Sequence, residues 1–472
     1  MTSTNKRENF WGFRWPLSMP NFLKKSEFDY ETVPLWQQST RVDVQDGERK
    51  KKGLSFWKAT VFVAGEMAGS GVLALPEAVS NIGWIGILII IVCCVNAGYA
   101  GVCLGRCWLI LEERWPEYRM RMRYPYPAIA YRATCTCMRY VVSFCVDFTL
   151  IGVSTVFLLL CAQLVQQLVC SLYDLSFCFW ILIIAAILCP LMWLGTPSDF
   201  WPAAVGAFAS TAIACVLLII NILFEKSKVP PPKYKVATVE SFFLGFGTVA
   251  FAFGGASTFP TFQNDMEKKE LFPKCVLVAF SILLLLYIPV SACGYHVFGS
   301  SVRPDILLSL DDNPFKMTVE ILLAAHLFFA FLIVVNPPAQ ELEEFFKVPR
   351  SFNWKRIVLR TSVMGVVVFI AESIPHFGKI LNFVGGSTVT LMTFVFPPIF
   401  YMRLCDQRHP KWPKRTISLH ERVYLIEVML IGIVAGVISS YSALNDIFKP
   451  DAFTLPCYVN LTAASSGNSC GH

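Results

Sequence analysis

Charge is scarce in this chain. Asp, Glu, Lys and Arg supply 15% of its 472 residues and apolar types 55%, whereas soluble domains are about one-quarter charged. A soluble fold is excluded, and the chain reads as an all-α polytopic membrane protein. Histidine is scarce too: there are six, none at metal-ligand spacing, and His409 and His420 fall in a basic loop where solvent exposure explains them. With no convergent nucleophile, base or metal ligands, nothing indicates an enzyme, a metal or a cofactor. The first 55 residues lack the apolar core of a signal peptide, so they are expected to form a cytoplasmic, largely disordered tail, the first span acting as insertion signal. The net charge of +7 forms no basic face. Its Lys and Arg lie between apolar runs, as membrane-side bias requires, and no nucleic acid is expected as partner.

Spans are expected at 58–80, 84–107, 144–169, 177–194, 203–224, 241–262, 274–296, 317–337, 354–374, 381–402 and 423–446. That makes eleven helices, in a transporter domain over 56–446 followed by a tail, 447–472, placed outside or in a lumen. Loop charge supports this arrangement at Arg114 to Arg139, at Lys347 to Arg356 and at Arg408 to Arg422, all on the inner side. Lys226, Lys228, Lys233 and Lys235 fall on the expected outer side, so either that loop is an exception or the short span 177–194 is miscounted. The sequon at Asn460 marks a glycosylation candidate on the lumenal side. Pro230, Pro231 and Pro232 predict a stiff connector between two halves. Among the cysteines, Cys93, Cys94, Cys103, Cys161, Cys189, Cys215 and Cys293 lie in or near apolar runs as small apolar thiols. Cys457 and Cys470 share the outer tail and could bridge there.

Two apolar segments are interrupted. In the first span Gly69, Ser70 and Gly71 precede Pro76, with Val72 following the glycines; in the sixth, Gly254 and Gly255 lie between Phe253 and Ser257, with Pro260 beyond. Glycine permits a backbone turn and proline removes a donor. Within a bilayer, freed backbone groups must face protein, solute or water, and half-helix ends can hold the carboxylate and ammonium of a zwitterion. Close helix packing is the competing explanation for small residues. Phe251, Phe253 and Phe259 could wall an apolar substrate side chain, Phe253 being the preferred one. Polar residues gather around the breaks and do not line a continuous pore, which disfavours a channel.

Three ionisable residues inside spans are candidates for coupling or gating. Glu66 lies about one turn before the first break, Asp147 near the inner start of the third span, and His326 well inside the eighth. A salt bridge for Asp147 and a hydrogen-bonded core role for His326 are the plainer readings. Glu372, Ser373 and Pro375, with Gly385, Gly386, Ser387 and Thr388, form a further polar region that could gate access.

At these residues the chain resembles the amino acid/auxin permease family, within the group sharing an inverted-repeat transporter core. The run Gly69 to Pro76 is similar to that family's Gly-Thr/Ser-Gly-Ile-Leu-Ala-Leu-Pro signature, and Phe251 to Met266 to its Phe-Ala-Phe...Pro...Met pattern, the resemblance spanning roughly 52–446. It implies inverted repeats of five helices, about 58–224 and 241–402, plus a last helix at 423–446, with an amino acid held between broken helices one and six. Ser70, Gly71 and Val72 would then serve the first break, and Phe253, Gly254, Gly255 and Ser257 the second. Transport of small neutral amino acids, proton-coupled and by alternating access, is the expected function. A sodium-coupled carrier, a vesicular amino acid/proton exchanger and an amino acid sensor remain alternatives, sodium being disfavoured because Leu322 to Val335 contains no Ser, Thr or Asn. The proton-coupled animal carriers of this family commonly have a cysteine between helices seven and eight that pairs near helix three; here Phe298 to Lys316 has none, although Cys170 and Cys178 lie near the other side. The membrane could be the plasma membrane or an endolysosomal or vesicular one.

Overall fold

The structure, a computed structural model, describes residues 53–120, 122, 124–169, 175–193, 201–349, 352–449 and 456–460. Residues 1–52 of the N-terminal tail, Cys170 and Cys470 lie outside the described residues, as do Leu461 and Thr462 of the sequon. The helices are α1 (Phe56–Met67), α2 (Ser70–Ile82), α3 (Ile85–Arg114), α4 (Pro125–Ala133), α5 (Thr136–Val169), α6 (Phe177–Trp193), α7 (Trp201–Glu225) and α8 (Val239–Ala252). They continue as α9 (Phe259–Asn264), α10 (Phe272–Phe298), α11 (Pro314–Val334), α12 (Asn336–Phe345), α13 (Trp354–Ser373), α14 (Phe377–Val384), α15 (Phe396–Asp406) and α16 (Leu419–Phe448).

The expected count of eleven spans is corrected. Among the described residues, eight helical stretches are long and apolar enough to cross a membrane, and nine if the bent pair α1/α2 is one span. Two expected spans fall short for different reasons. α6 is apolar but only 17 residues long, below the roughly 20 needed to span hydrocarbon. α13 has 20 residues but carries Lys355, Arg356, Arg360 and Glu372. Arg360 is buried and donates through Nε to Glu343 on α12 at 2.6 Å and through Nη1 to the Met192 carbonyl of α6 at 2.6 Å. A charged residue at that depth needs such partners.

Helix starts follow their capping residues. Thr238 and Ser241 form a reciprocal capping box for α8. Asn313, Asn353 and Ser418 accept from the backbone N–H three residues on, opening α11, α13 and α16. The core places α2 against α8, α11 against α5 and α7, and α10 against α3. Leu54 forms a parallel bridge with Met266: Leu54 N–H donates to the Asp265 carbonyl at 2.8 Å and Glu267 N–H to the Leu54 carbonyl at 3.1 Å. This ties the chain entering α1 to the chain leaving α9. Between α14 and α15 the helix widens into two π turns over 385–389 and 391–395. There Gly385 presses on α8, where a Cβ would stand 2.1 Å from the Gly247 carbonyl oxygen, so the expected gating stretch packs tightly against the sixth segment.

Cys457 is bonded to Cys178 across 279 residues, which corrects the pairing with Cys470. The bridge fastens the tail to the start of α6. Near that end of the molecule Asp305 is fully buried, accepts from Leu307 N–H at 3.0 Å and from Gln163 Nε2 at 2.7 Å, and lies near Lys316 and Glu320. Burial pushes Asp305 from 3.8 up to about 7, opposed by its hydrogen bonds and by Lys316. A carboxyl raised on folding binds more protons in the native state, so its stabilising contribution is complete below about pH 4 and is lost as pH rises toward 7. The stability of the parent relative to Asp305→Asn is therefore expected to fall between pH 4 and 7 and level off above, as read by thermal unfolding in detergent. A difference constant across that range would contradict this environment for Asp305.

Candidate functional site

Both interrupted segments are broken where glycine lies in the apolar run. α1 ends at Met67 and α2 begins at Ser70, the two axes bent by 52°. Gly69 occupies the corner, where a Cβ would stand 3.2 Å from His326 Nε2. α8 ends at Ala252, a single 3-10 turn covers Gly255–Ser257, and α9 resumes at Phe259 with Pro260 in its first turn. Breaking a helix orphans carbonyl groups at its C-terminal end. One buried hydroxyl answers for both breaks: Tyr287 Oη on α10 lies 2.7 Å from the Met67 carbonyl oxygen and 3.1 Å from that of Ala252.

A cavity of about 30 Å³ lies between the breaks, room for on the order of two waters and for no amino acid. The breaks are thus drawn closely together. Glu66, Met67 and Ser70 line it from the first break, and Phe251, Gly254, Gly255 and Ser257 from the second, while Phe157 of α5 and Val389 add apolar wall. Glu66 Oε2 accepts a hydrogen bond from Thr258 Oγ1, linking the two broken segments across the cavity. No ion pair among the described residues includes Glu66. Ser70 Oγ is buried without a partner.

The remaining expected residues sit around this cavity or apart from it. Gly71 is at the contact of α2 with α8, where a Cβ would meet Ala252 Cα at 2.8 Å. Val72 is buried in the core. Phe253 is fully buried and stacks on Phe280 at 6.0 Å and beside Tyr287 at 5.4 Å; the cavity wall on this helix is Phe251 instead. His326 receives support from α7: Nδ1 is 3.0 Å from the Ala207 carbonyl oxygen and 3.1 Å from Thr211 Oγ1. A carbonyl only accepts, so Nδ1 carries a proton, and the buried Nε2, which has no hydrogen-bond partner, faces the Gly69 corner. Asp147 is half-buried and meets another carboxylate, Glu341 of α12, to which Ser143 also donates. Asp147 thus faces a carboxyl group. Asn460 is exposed in the tail. Tyr287 and Phe157 escaped the sequence reading because each lies in an unbroken apolar run, and only their spatial partners distinguish them.

The family described as "Transmembrane amino acid transporter protein" matches residues 52–442. The chain belongs to that family. This transporter is 24% identical over 408 residues to amino acid transporter AVT1C of Arabidopsis thaliana, covering 84% of this chain and 70% of the relative. With AVT1J of the same plant it shares 25% identity over 405 residues, covering 84% and 92%. Among solved structures, its fold is similar to an Eremococcus coleocola manganese transporter complexed with an aromatic bis-isothiourea compound, at TM-score 0.56 and 13% identity, covering 91% and 94% of the two chains. It is also similar to MhsT in complex with L-phenylalanine, at TM-score 0.53 and 11% identity, covering 84% and 100%. These likenesses show the fold alone. The transporter has the inverted-repeat carrier core and is a multi-pass membrane protein, a secondary active carrier of small, amino-acid-like solutes rather than an enzyme.

Proposed function

We propose that this transporter moves small neutral amino acids by alternating access, coupled to protons, with the solute held between the two breaks. The cavity shared by both breaks carries this reading: it joins glycine backbone, the hydroxyls of Ser70 and Ser257, and one carboxyl group, Glu66, inside an otherwise apolar wall. Exposed backbone and hydroxyls suit a zwitterion. Among the described residues no Lys or Arg lines the cavity, which disfavours an acidic side chain on the solute, and the close glycines favour a small one. Gly69, Gly71 and Val72 are assigned to forming the first break and seating it on α8, and Phe253 to backing the second.

Proton coupling rests on Glu66 and His326. Glu66 is a carboxyl group in the cavity wall with no cationic partner among the described residues, so a proton or the ammonium of the solute is the natural counter-charge. His326 presents an unpartnered ring nitrogen to the corner that must move if α1 and α2 are to change angle. Asp147 with Glu341 is a carboxyl pair apart from the cavity, suited to gating the inner side. The basic loops favour a cytoplasmic inner end, and the disulfide favours an oxidising outer or lumenal compartment for the tail bearing Asn460.

Uptake of labelled neutral amino acids into liposomes containing the purified transporter, with an imposed proton gradient and no sodium, tests the proposal. Accumulation above equilibrium that collapses with the gradient is expected. Accumulation that requires sodium instead would reject the coupling ion. For His326→Gln, the expected outcome is an altered pH dependence of uptake; a profile parallel to the parent's and merely lower would assign His326 to packing.

A further inference from the structure

Glu372 is 6% exposed, yet its Oε1 has no hydrogen-bond partner among the described residues. One of its carboxylate oxygens lies within 4.8 Å of both sulfurs of the Cys178–Cys457 bridge. A disulfide offers no donor to a carboxylate, so in the oxidised protein this buried group faces two sulfurs that cannot satisfy it. Two thiolates and a carboxylate are, by contrast, a soft-ligand set for zinc, which takes Cys and Glu ligands in tetrahedral sites with three protein donors and an open position.

We propose that Cys178, Cys457 and Glu372 form a redox-gated zinc site: closed as a disulfide, and opened to Zn²⁺ when the bridge is reduced. Reduction by a dithiol delivers two electrons and two protons to the sulfur pair, breaking the S–S bond to leave two thiols while the dithiol closes to its own disulfide. Zn²⁺ then displaces the two thiol protons to the buffer and is bound by two thiolates and the Glu372 carboxylate. With metal–sulfur and metal–oxygen bonds of about 2.3 and 2.0–2.2 Å in a tetrahedral site, the two sulfurs must separate from bonding distance to about 3.8 Å, a movement that breaking the S–S bond and rotating the two side chains permits.

The thiols would stay in place after reduction because the tail has other holds. Cys457 N–H donates to the Glu372 backbone carbonyl at 2.8 Å, and Tyr458 stacks on Phe369 at 5.9 Å. The three ligands come from the start of α6, the end of α13 and the tail, so zinc would restore the covalent tie between them in a reversible form. The site lies outside the break cavity and is independent of which solute is carried.

Co²⁺, whose thiolate charge-transfer absorption reports sulfur ligation, is the probe. Full-length protein in detergent is compared oxidised and after reduction with a phosphine, which takes its oxygen from water and leaves as the phosphine oxide before metal is added. The free cysteines among the described residues contribute equally to both samples, and comparison with reduced Cys457→Ser isolates this site from every other thiol. One extra equivalent of thiolate-bound Co²⁺ after reduction, displaced by Zn²⁺, is expected. Cys457→Ser should abolish it, and Glu372→Gln, which leaves the disulfide intact and so controls for folding, should weaken it by roughly tenfold or more. Equal binding by oxidised and reduced protein, or unchanged affinity in Glu372→Gln, would overturn the proposal.

Discussion

Gly255→Leu is expected to lower amino acid uptake by about tenfold to a hundredfold in reconstituted vesicles while leaving the yield of assembled protein unchanged. At this position a Cβ alone would stand 2.7 Å from Phe259 Cε1 and 2.9 Å from Met67 Cγ, one neighbour from each broken segment. Overpacking of a tight contact costs about 1–3 kcal/mol. Here it falls on the approach of the two breaks, and so on every transport cycle that must close around a solute. The neighbours are ends of side chains, so the fold has room to yield by rotating Met67, which is why assembly should survive. Parent-like uptake kinetics in correctly assembled Gly255→Leu would remove the second break from the solute path.

Tyr287→Phe is the second large effect. Its hydroxyl is the shared partner of the Met67 and Ala252 carbonyls, and losing it leaves buried acceptors without that donor, at about 1–3 kcal/mol. The ring would remain packed against Phe253, so the change isolates the polar link between the ends of α1 and α8. Maximal uptake about tenfold slower is expected, measured beside thermal unfolding in the same detergent. Unchanged uptake accompanied by a lower melting temperature would make Tyr287 a purely structural strut.

How much was legible follows from which signals are local. The breaks at Gly69 to Gly71 and at Gly254 to Gly255 could be read because glycine and proline inside an apolar run conflict with a continuous helix, and the conflict is written in adjacent residues. Tyr287 carries no such mark: its role depends on two carbonyls, one of them 220 residues away. The Cys178 bridge to Cys457 is likewise hidden, because a shared compartment permits many pairings and only proximity selects one. The span count differs at 177–194, which its shortness and the loop charge already make the doubtful span, and at 354–374, where buried charge offsets the hydropathy. Arg360 shows why: a buried charged residue paired with Glu343 and the Met192 carbonyl sits in a helix that sequence pattern alone assigned to lipid. Phe253 and Phe251 were both visible as candidates, but which one faces the cavity depends on the turn geometry at the break.

The central claim is that the solute binds between the two breaks, and solute protection of a cysteine placed there tests it most directly. Ser257 lines the cavity and is 7% exposed, so a membrane-permeant thiol reagent should label Ser257→Cys only as the carrier cycles open, with the modified residue located by mass spectrometry. Labelling slowed by a transported neutral amino acid, at concentrations matching its half-saturation for uptake, is the predicted result. Labelling at the same rate with and without that amino acid, in protein that still transports it, would contradict a solute site between the broken helices.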